Sequence, residues 1–419
     1  MDVPDAILLM GDKQWQEIKS KLTGKFNKMM KGLFRQKGAQ LDINILASDE
    51  AQEFITTHAG ILDAGFQKVE MSDKMRERLT RSNYIFSGIK TFHELNEAFP
   101  SMLDENGNKK TFERFLNDVQ KINDTYNANY LHAEYNFVQA SATMAAKWEQ
   151  FREDGDQYYL QYRTAKDGKV RPEHAALDGV TLPPSDSFWD TYYPPNGWNC
   201  RCNVVQVRKQ KYPITEHSEA MNSGEEAMNG QKYNIFRFNS GKQGKTMPDY
   251  NPYTIRRCND CDVAKGKMKL GFVPDYQLCQ GCIMIRKCSE DRNRDNSAKA
   301  TKKSPEVKKL QGTTISNPDF NHEVLVTGGS IREWTNQPHK DYAAKNSILK
   351  HIAKVFREAK YIGFIDNFKM KPGIKQSHLF ETNVLGELSW IIVREYEIGE
   401  FVLHSISDSD KIKTGIRKE

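Results

Sequence analysis

The first half of the chain repeats apolar residues with the spacing of amphipathic helices. One stripe consists of Phe112, Phe115, Leu116, Val119 and Ile122, and a second consists of Leu131, Tyr135, Val138, Ala142 and Ala145. Positions three and four residues apart lie on one face of a helix, so both segments are predicted to be core-facing helices. Thr91 followed by Glu94 resembles a capping box and predicts that another helix begins there.

From Tyr158 onwards the pattern changes to short, aromatic and partly alternating runs, which are typical of strands. We expect strands in YYLQYRTA, in NVVQV and in NIFRFN. Near the C-terminus, an apolar stripe predicts one helix through Ile348, Leu349, Ile352, Val355, Phe356 and Ala359. Four strand-like runs follow it: YIGFI, SHLFETNV, LSWIIVR and EFVLHSI. One helix followed by an antiparallel meander predicts a separate α+β domain of about 100 residues.

The composition of the chain argues against a membrane span and shows that its basic residues are concentrated in one segment. No apolar run in the 419 residues approaches the length of a membrane span, and no basic segment precedes the short apolar N-terminal patch, so we expect neither a span nor a secretory signal. Between Arg256 and Lys309 there are 14 Lys/Arg and 7 Asp/Glu, a local charge of +7 in a chain of net charge +6. Such a concentrated basic segment favours contact with a polyanion. Its Ser/Asn-rich second half is equally typical of a flexible, solvated linker.

Five of the seven cysteines lie in this basic segment, and four of them have metal-site spacing. Cys258, Cys261, Cys279 and Cys282 form two C-x2-C pairs separated by seventeen residues, as in a zinc ribbon. Four thiolates complete a closed tetrahedron, and such sites are structural rather than catalytic. We therefore predict a structural zinc that helps to fold a very polar segment, with Cys288 as a spare ligand. The alternative is a redox pair or buried thiols.

The other two cysteines, Cys200 and Cys202, lie one residue apart after a PPNG turn. On a strand they would share one face, with Arg201 opposite. A disulfide between them would be strained, and thiols stay reduced in the cytoplasm, where we expect folding. His174 and Asp178 could complete a metal site, but nucleobase deaminases carry a Glu two residues after the histidine and a C-x2-C pair, and both are absent here. Metal binding and packed thiols both stay open, with packed thiols favoured.

Several motifs surround these two cysteines: RPEH at 171–174, LDG at 177–179, the PPNG turn and the closing CRC, with YLHAEYNFVQA before them. Together they resemble the phage Mu F-type minor head protein domain of the phage head morphogenesis family, over about Thr111 to Val207. One departure is Ala133, where relatives often carry Thr or Ser. The resemblance implies a minor capsid component at the portal, needed for head assembly or DNA packaging. It implies no established catalytic residues.

The C-terminal strands resemble, more weakly, phage-associated nuclease-toxin domains of the barnase, EndoU, colicin and RelE group. That resemblance implies RNA cleavage without metal, by a base, an acid and a cation that holds the phosphate. The candidate catalytic residues are His378, Glu381, Arg394, His404 and Ser405. Glu381 or a histidine would take the 2′-hydroxyl proton, another histidine would protonate the leaving oxygen, and Arg394 would hold the phosphate. On an unbroken strand His378 and Glu381 face opposite sides, so one shared site requires a bulge.

These expectations combine into a multidomain α+β phage protein. Its predicted parts are a mainly helical N-terminal region (1–110), a small β-rich Mu F-like domain (111–210), a loop-rich connector (211–257), a zinc-ribbon-like segment (258–288), a flexible basic linker (289–310) and a nuclease-like domain (311–419). The expected partners are the portal and major capsid proteins, packaged DNA at the basic segment and RNA as nuclease substrate. The expected location is the phage head, and the host cytoplasm during assembly. The alternative is a virion-delivered ribonuclease toxin, with the head domain as its carrier.

Overall fold

The computed structural model describes residues 12–38, 40–248, 251–253, 280–340, 342–366, 372–384 and 387–417. The chain divides into two compact units, unit 1 (Met1–Ser289) and unit 2 (Glu290–Glu419). The first is mainly helical and the second is built on a β-sheet, which confirms a mixed α+β architecture. No helix in the described ranges is both long enough and apolar enough to cross a membrane.

Unit 1 begins with a series of long helices packed round one hydrophobic core. Their bounds are α1 Asp12–Phe34, α2 Asp49–Ala64, α3 Asp73–Ala98, α4 Phe112–Asn123 and α5 Leu131–Asp154. Three of them have a hydroxyl residue as N-cap. Ser48, Ser72 and Thr111 each accept a hydrogen bond from the backbone N–H three residues further along the chain. A π-helical turn, Asp124–Asn129, lies between α4 and α5. Both predicted apolar stripes are thus confirmed as helices.

The helix start predicted at Thr91 is wrong. Thr91 lies inside α3, fully buried, and its hydroxyl donates to the backbone oxygen of Ser87 at 2.8 Å. The helix begins instead at Ser72, whose side chain accepts from the backbone N–H of Met75. Glu94, the other half of the predicted capping box, is fully buried as well. A Thr-x-x-Glu spacing also occurs within helices, where the hydroxyl bonds back to the preceding turn.

A small antiparallel sheet follows α5. Its strands are β1 Tyr159–Arg163, β2 Thr181–Leu182 and β3 Asn203–Val207, in the order β2-β1-β3. Short helices surround it: α6 Pro172–Ala175, α7 Phe188–Thr191, α8 His217–Ala227 and α9 Ser240–Gln243. Strands in YYLQYRTA and NVVQV are confirmed. The strand predicted in NIFRFN is wrong, since Gln231–Phe236 is a 3-10 helix whose Phe236 packs on Phe137.

The segment interpreted as a flexible linker is helical in the structure. Helix α10 spans Gln280–Lys303, and the boundary between the two units falls within it; α11 spans Pro305–Lys309. Ala298 and Val307 are buried, which gives these helices an apolar side. Of the four predicted zinc ligands, Cys258, Cys261 and Cys279 lie outside the described residues. Cys282 lies on α10 and is buried in the core of unit 1, so the zinc-ribbon site stays a prediction.

Unit 2 contains a six-stranded sheet in the order β4-β5-β9-β8-β7-β6. The strands are β4 Thr313–Asn317, β5 Phe320–Val326, β6 Lys360–Asp366, β7 Ile374–Val384, β8 Glu387–Tyr396 and β9 Phe401–Ser407. Helices α12 Gly328–Asn336, α13 Tyr342–Ser347 and α14 Ile352–Glu358 accompany it, and Trp334 and Phe356 join its core. The four predicted strands and the predicted helix region are confirmed. Strands β4 and β5 and helix α12 are additions, and β5 pairs with β9 in parallel.

Candidate functional site

The loop that leads into β3 is shaped by a few close contacts. Asn196 is fully buried, and its side-chain oxygen accepts from the hydroxyl of Tyr162 at 2.8 Å. A Cβ on Gly197 would lie 2.7 Å from Nη1 of Arg171, so a larger residue there would displace the end of that arginine side chain. Asn199 adopts a left-handed conformation (φ 56°), which asparagine tolerates better than most residues. The loop therefore turns sharply just before Cys200.

That turn brings Cys200 and Cys202 to His174 on α6. Nδ1 of His174 lies 3.6 Å from the sulfur of each cysteine. His174 and Cys200 are buried and Cys202 is partly exposed. Arg201 bonds instead to the carboxylate of Asp167, 2.7 Å from one oxygen, so the predicted arrangement of two cysteines against one arginine is confirmed. We call His174, Cys200 and Cys202 the His/Cys/Cys cluster.

Asp178, the additional ligand considered from the sequence, is not part of this cluster. Its Oδ1 accepts from the backbone N–H of Thr164 at 2.7 Å and from the Thr164 hydroxyl at 3.1 Å. In the described ranges, the group of metal-ligand side chains at this place consists of one histidine and two cysteines. Nε2 of His174 has no hydrogen-bond partner among the described residues.

The two thiols of the cluster differ in acidity. A hydrogen bond from Cys202 lowers the pKa of Cys200 well below its usual value, against the opposing effect of burial, and His174 adds to the lowering. The same pairing with Cys200, together with burial, raises the pKa of Cys202. The hydrogen bond between the two sulfurs and the nearby histidine therefore favour one thiolate in the pair.

A buried polar network crosses the helices of unit 1 and was not found from the sequence. Nζ of Lys90 donates to Oε2 of Glu134 and to the backbone oxygen of Tyr126, both at 2.7 Å, and lies 3.0 Å from Nε2 of His58. Tyr253 also donates to Glu134. These side chains are nearly or fully buried. In the sequence, Lys90 and Glu94 lie four residues apart, as in an ion pair on the exposed face of a helix. Nothing in that spacing indicates that both side chains are buried.

Burial and charge shift the acidities of this network in different directions. Burial and, second, the positive charge of Lys90 lower the pKa of His58 from 6.5 to about 4. Burial would raise the pKa of Glu134, but Lys90 and His58 outweigh it and hold it at about 2. Burial raises the pKa of Glu94 to about 8, with Lys90 opposing this shift. At neutral pH the network therefore holds a Lys90–Glu134 ion pair beside a protonated Glu94.

In unit 2 the five predicted catalytic residues do not form one cluster. His378 is buried; its Nδ1 lies 2.9 Å from the hydroxyl of Tyr361 and its Nε2 lies 3.1 Å from Oε2 of Glu395. The register of β7 with β8 is uninterrupted from Gln376 to Val384, so no bulge separates His378 from Glu381. The two side chains therefore face opposite sides of the sheet.

The remaining candidates follow from the same register. Arg394 is paired with Ser377, next to His378 in sequence, so it lies on the face opposite to His378. Ser405 is buried and paired with Ile392, and His404 lies at the irregularity between Ser405 and Leu403. Glu395 is the partner of His378 that sequence reasoning missed. It follows Arg394 directly, and only the strand pairing brings it to the histidine.

Comparison with known proteins gives a family match for one segment of unit 1 and another for part of unit 2. Residues 105–205 match the family described as Phage Mu protein F like protein, which confirms the resemblance to Mu F-type domains for this segment. We call residues 105–205 the Mu F-like segment, and it contains the whole His/Cys/Cys cluster. Residues 293–403 match a second family, described as Large polyvalent protein-associated domain 3. This second match leaves the predicted nuclease activity a prediction.

Two curated proteins are similar to this chain in sequence. It is 32% identical over 284 residues to the putative capsid assembly protein F of Escherichia phage Mu, covering 62% of this chain and 61% of that protein. It is 26% identical over 198 residues to the Mu-like prophage FluMu F protein of Haemophilus influenzae, covering 46% of this chain and 42% of that protein. The chain thus spans about three-fifths and two-fifths of these relatives. No solved structure matches it significantly.

Proposed function

We propose that this protein is a minor capsid protein of a tailed phage or prophage that acts at the portal in head assembly and DNA packaging. The observation that carries this proposal is the Mu F-like match of residues 105–205. The relative named as a capsid assembly protein supports it, since the alignment extends well beyond that segment. The portal and major capsid proteins are the proposed partners, and the phage head is the proposed location.

The geometry of the segment favours a structural role over catalysis. His174 and Cys200, the reactive side chains nearest to its centre, are almost completely buried. A catalytic group needs direct access to its substrate, whereas a group that holds a fold together does not. Trp189 and Tyr193, large aromatic side chains of the same segment, are completely buried as well.

A genetic and biochemical experiment tests this role. In the phage or prophage genome that encodes the chain, an early stop codon in its gene should abolish DNA-filled heads, and wild-type protein supplied in trans should restore them. Tagged full-length protein, co-expressed with the portal protein of the same genome, should retain the portal on purification. DNA-filled heads that form at the normal level without this protein would refute the proposal.

We further propose that the basic helices α10 and α11 contact packaged DNA through its phosphate backbone. Among their described residues, exposed basic side chains of unit 2 support this: Arg294, Lys299, Lys302, Lys303, Lys308 and Lys309. Phosphate contacts release counterions, so binding to a duplex of any sequence should weaken steeply with salt. Replacing Lys299, Lys303 and Lys309 by Gln should reduce the salt slope by about 2–3. Affinity that is unchanged between low and moderate salt would contradict this proposal.

A ribonuclease activity in unit 2 is the second candidate function. If that activity were the main role of the protein, the chain would be a ribonuclease toxin delivered with the virion. The His378–Glu395 contact supports it, since general acid–base catalysis often uses a histidine oriented by a carboxylate. His378 is buried, so this activity also requires a movement that opens the pair to RNA. Full-length protein incubated with total RNA and a chelator should then cleave it. His378→Ala should abolish cleavage, whereas Arg394→Ala, on the opposite face of the sheet, and His351→Ala should not. RNA that stays intact at high protein concentration would leave unit 2 with a structural role.

A further inference from the structure

The His/Cys/Cys cluster has a symmetry that packed thiols do not explain. Nδ1 of His174 is the same distance, 3.6 Å, from the sulfurs of Cys200 and Cys202. A single hydrogen bond at this nitrogen, whether it donates or accepts, is directed along one line and favours one sulfur. An ion shared by all three atoms lies between them and holds both sulfurs equally.

The distances agree with a tetrahedral zinc site. Zinc binds thiolate sulfur at about 2.3 Å and imidazole nitrogen at about 2.0–2.1 Å. At a tetrahedral angle, these bond lengths separate the nitrogen from each sulfur by about 3.6 Å. Both nitrogen–sulfur distances in the cluster have this value, and the three potential ligand atoms lie within 4.8 Å of one another. The two nitrogen–sulfur distances therefore already match those of a bound ion.

We propose that His174, Cys200 and Cys202 bind a zinc ion that joins α6 to the loop before β3. Thiolates with imidazole are a ligand set that suits zinc, and two thiolates neutralise its charge. In the part of the chain that the structure describes, Asp178 is held by Thr164, and no fourth side-chain ligand joins the cluster. Water would complete the tetrahedron as the fourth ligand.

The role of this ion is to hold a loop that has little regular structure of its own. Residues 194–202 contain no helix or strand. They are held by single contacts, which include the Asn196–Tyr162 and Arg201–Asp167 hydrogen bonds and the packing of Trp198 on Phe137 and Phe236. Zinc would add a further anchor by linking Cys200 and Cys202 to His174, 26 and 28 residues earlier in the chain. Free energy of metal binding then contributes to the stability of the Mu F-like segment.

Peptide mapping of the wild-type chain tests the site directly. Full-length protein, purified with zinc in the growth medium, is treated with an alkylating reagent before and after addition of a chelator. Cys200 and Cys202 should react at least tenfold faster after chelation, and hydrogen exchange in residues 194–207 should increase. Added zinc should reverse both changes. Alkylation and exchange rates that ignore the chelator and added zinc would overturn the proposal.

Matched variants separate this site from the predicted four-cysteine site. The double variant Cys200→Ser/Cys202→Ser should lose one equivalent of zinc, measured by elemental analysis of folded protein. Cys258→Ser/Cys261→Ser should keep the zinc at Cys200 and Cys202 and their chelator-dependent protection. Unchanged zinc content in the first variant would refute the assignment. If that variant fails to fold, the peptide mapping of the wild-type protein decides the question alone.

Discussion

Glu94 is the buried group whose replacement should change stability most clearly with pH. Burial raises its pKa from 4.5 to about 8, so the folded chain keeps the carboxyl protonated at neutral pH. The unfolded chain releases that proton above 4.5. Between these two values the folded state binds more protons than the unfolded state, and stability falls as the pH rises. Above about 8 both states are ionised, and this contribution is lost.

The magnitude follows from the width of that window. Each pH unit between the two pKa values lowers the free energy of unfolding by about 1.4 kcal/mol. Relative to pH 4.5, the loss is therefore about 3 kcal/mol at pH 7, and it levels off at about 5 kcal/mol above pH 8. Glu94→Gln keeps the size of the side chain and removes its ionisation. The free energy of unfolding of the variant, relative to wild type, should therefore increase by these amounts as the pH rises from 4.5.

The assay must separate unit 1 from unit 2. Urea denaturation at several pH values, read by pulse hydrogen exchange of peptides from α3, reports on unit 1 alone. Glu77→Gln, an exposed position on the same helix, is the matched control and should show no pH-dependent gain. A Glu94→Gln effect that is independent of pH, or that grows more destabilising as the pH rises, would refute the reasoning.

Three further predictions concern the stability of the two units and the accessibility of Cys200. Burial lowers the pKa of Lys345 to about 7 from 10.5, so the stability of unit 2 should rise between pH 7 and 10, and Lys345→Met should abolish that rise in thermal melts. Gly241→Ala would place its Cβ 2.1 Å from that of Trp148 and should cost about 1–3 kcal/mol, whereas Gly24→Ala, with no neighbour within 4 Å, should gain about 0.5–1 kcal/mol in urea denaturation. Asn199→Gly should be tolerated, while Asn199→Val should increase alkylation of Cys200, because a β-branched residue resists a φ of 56°.

The two apolar stripes, the β1 and β3 strands and the C-terminal meander could be predicted because periodicity is a local property. The failures at Thr91 and NIFRFN have a shared cause. A short pattern is compatible with more than one conformation, and the packing of distant residues decides between them. Thr91 is covered by other helices of unit 1, and Phe236 is drawn to Phe137 on α5.

The candidate sites likewise combine features that are visible in the local sequence with features that only tertiary packing creates. The CRC motif and the nearby histidine were visible in sequence, but the equal distances from His174 to the two sulfurs exist only after α6 and the PPNG loop pack together. Glu395 and the Lys90–Glu134 pair gave no recognisable signal. Charged residues are usually exposed, and nothing in their local sequence reports that strand pairing or helix packing buries them.

By itself, the sequence determined the helices with apolar stripes, the strands β1 and β3, the C-terminal meander, the mixed α+β class and the Mu F-like segment, since these depend on spacings and motifs within short stretches of chain. Tertiary structure alone decided that the cysteines share His174, that Glu94 lies inside the helical unit and that His378 and Arg394 face opposite sides of a sheet. These relations join residues far apart in sequence or depend on strand register. Their energies come from burial and contact, which no local pattern records.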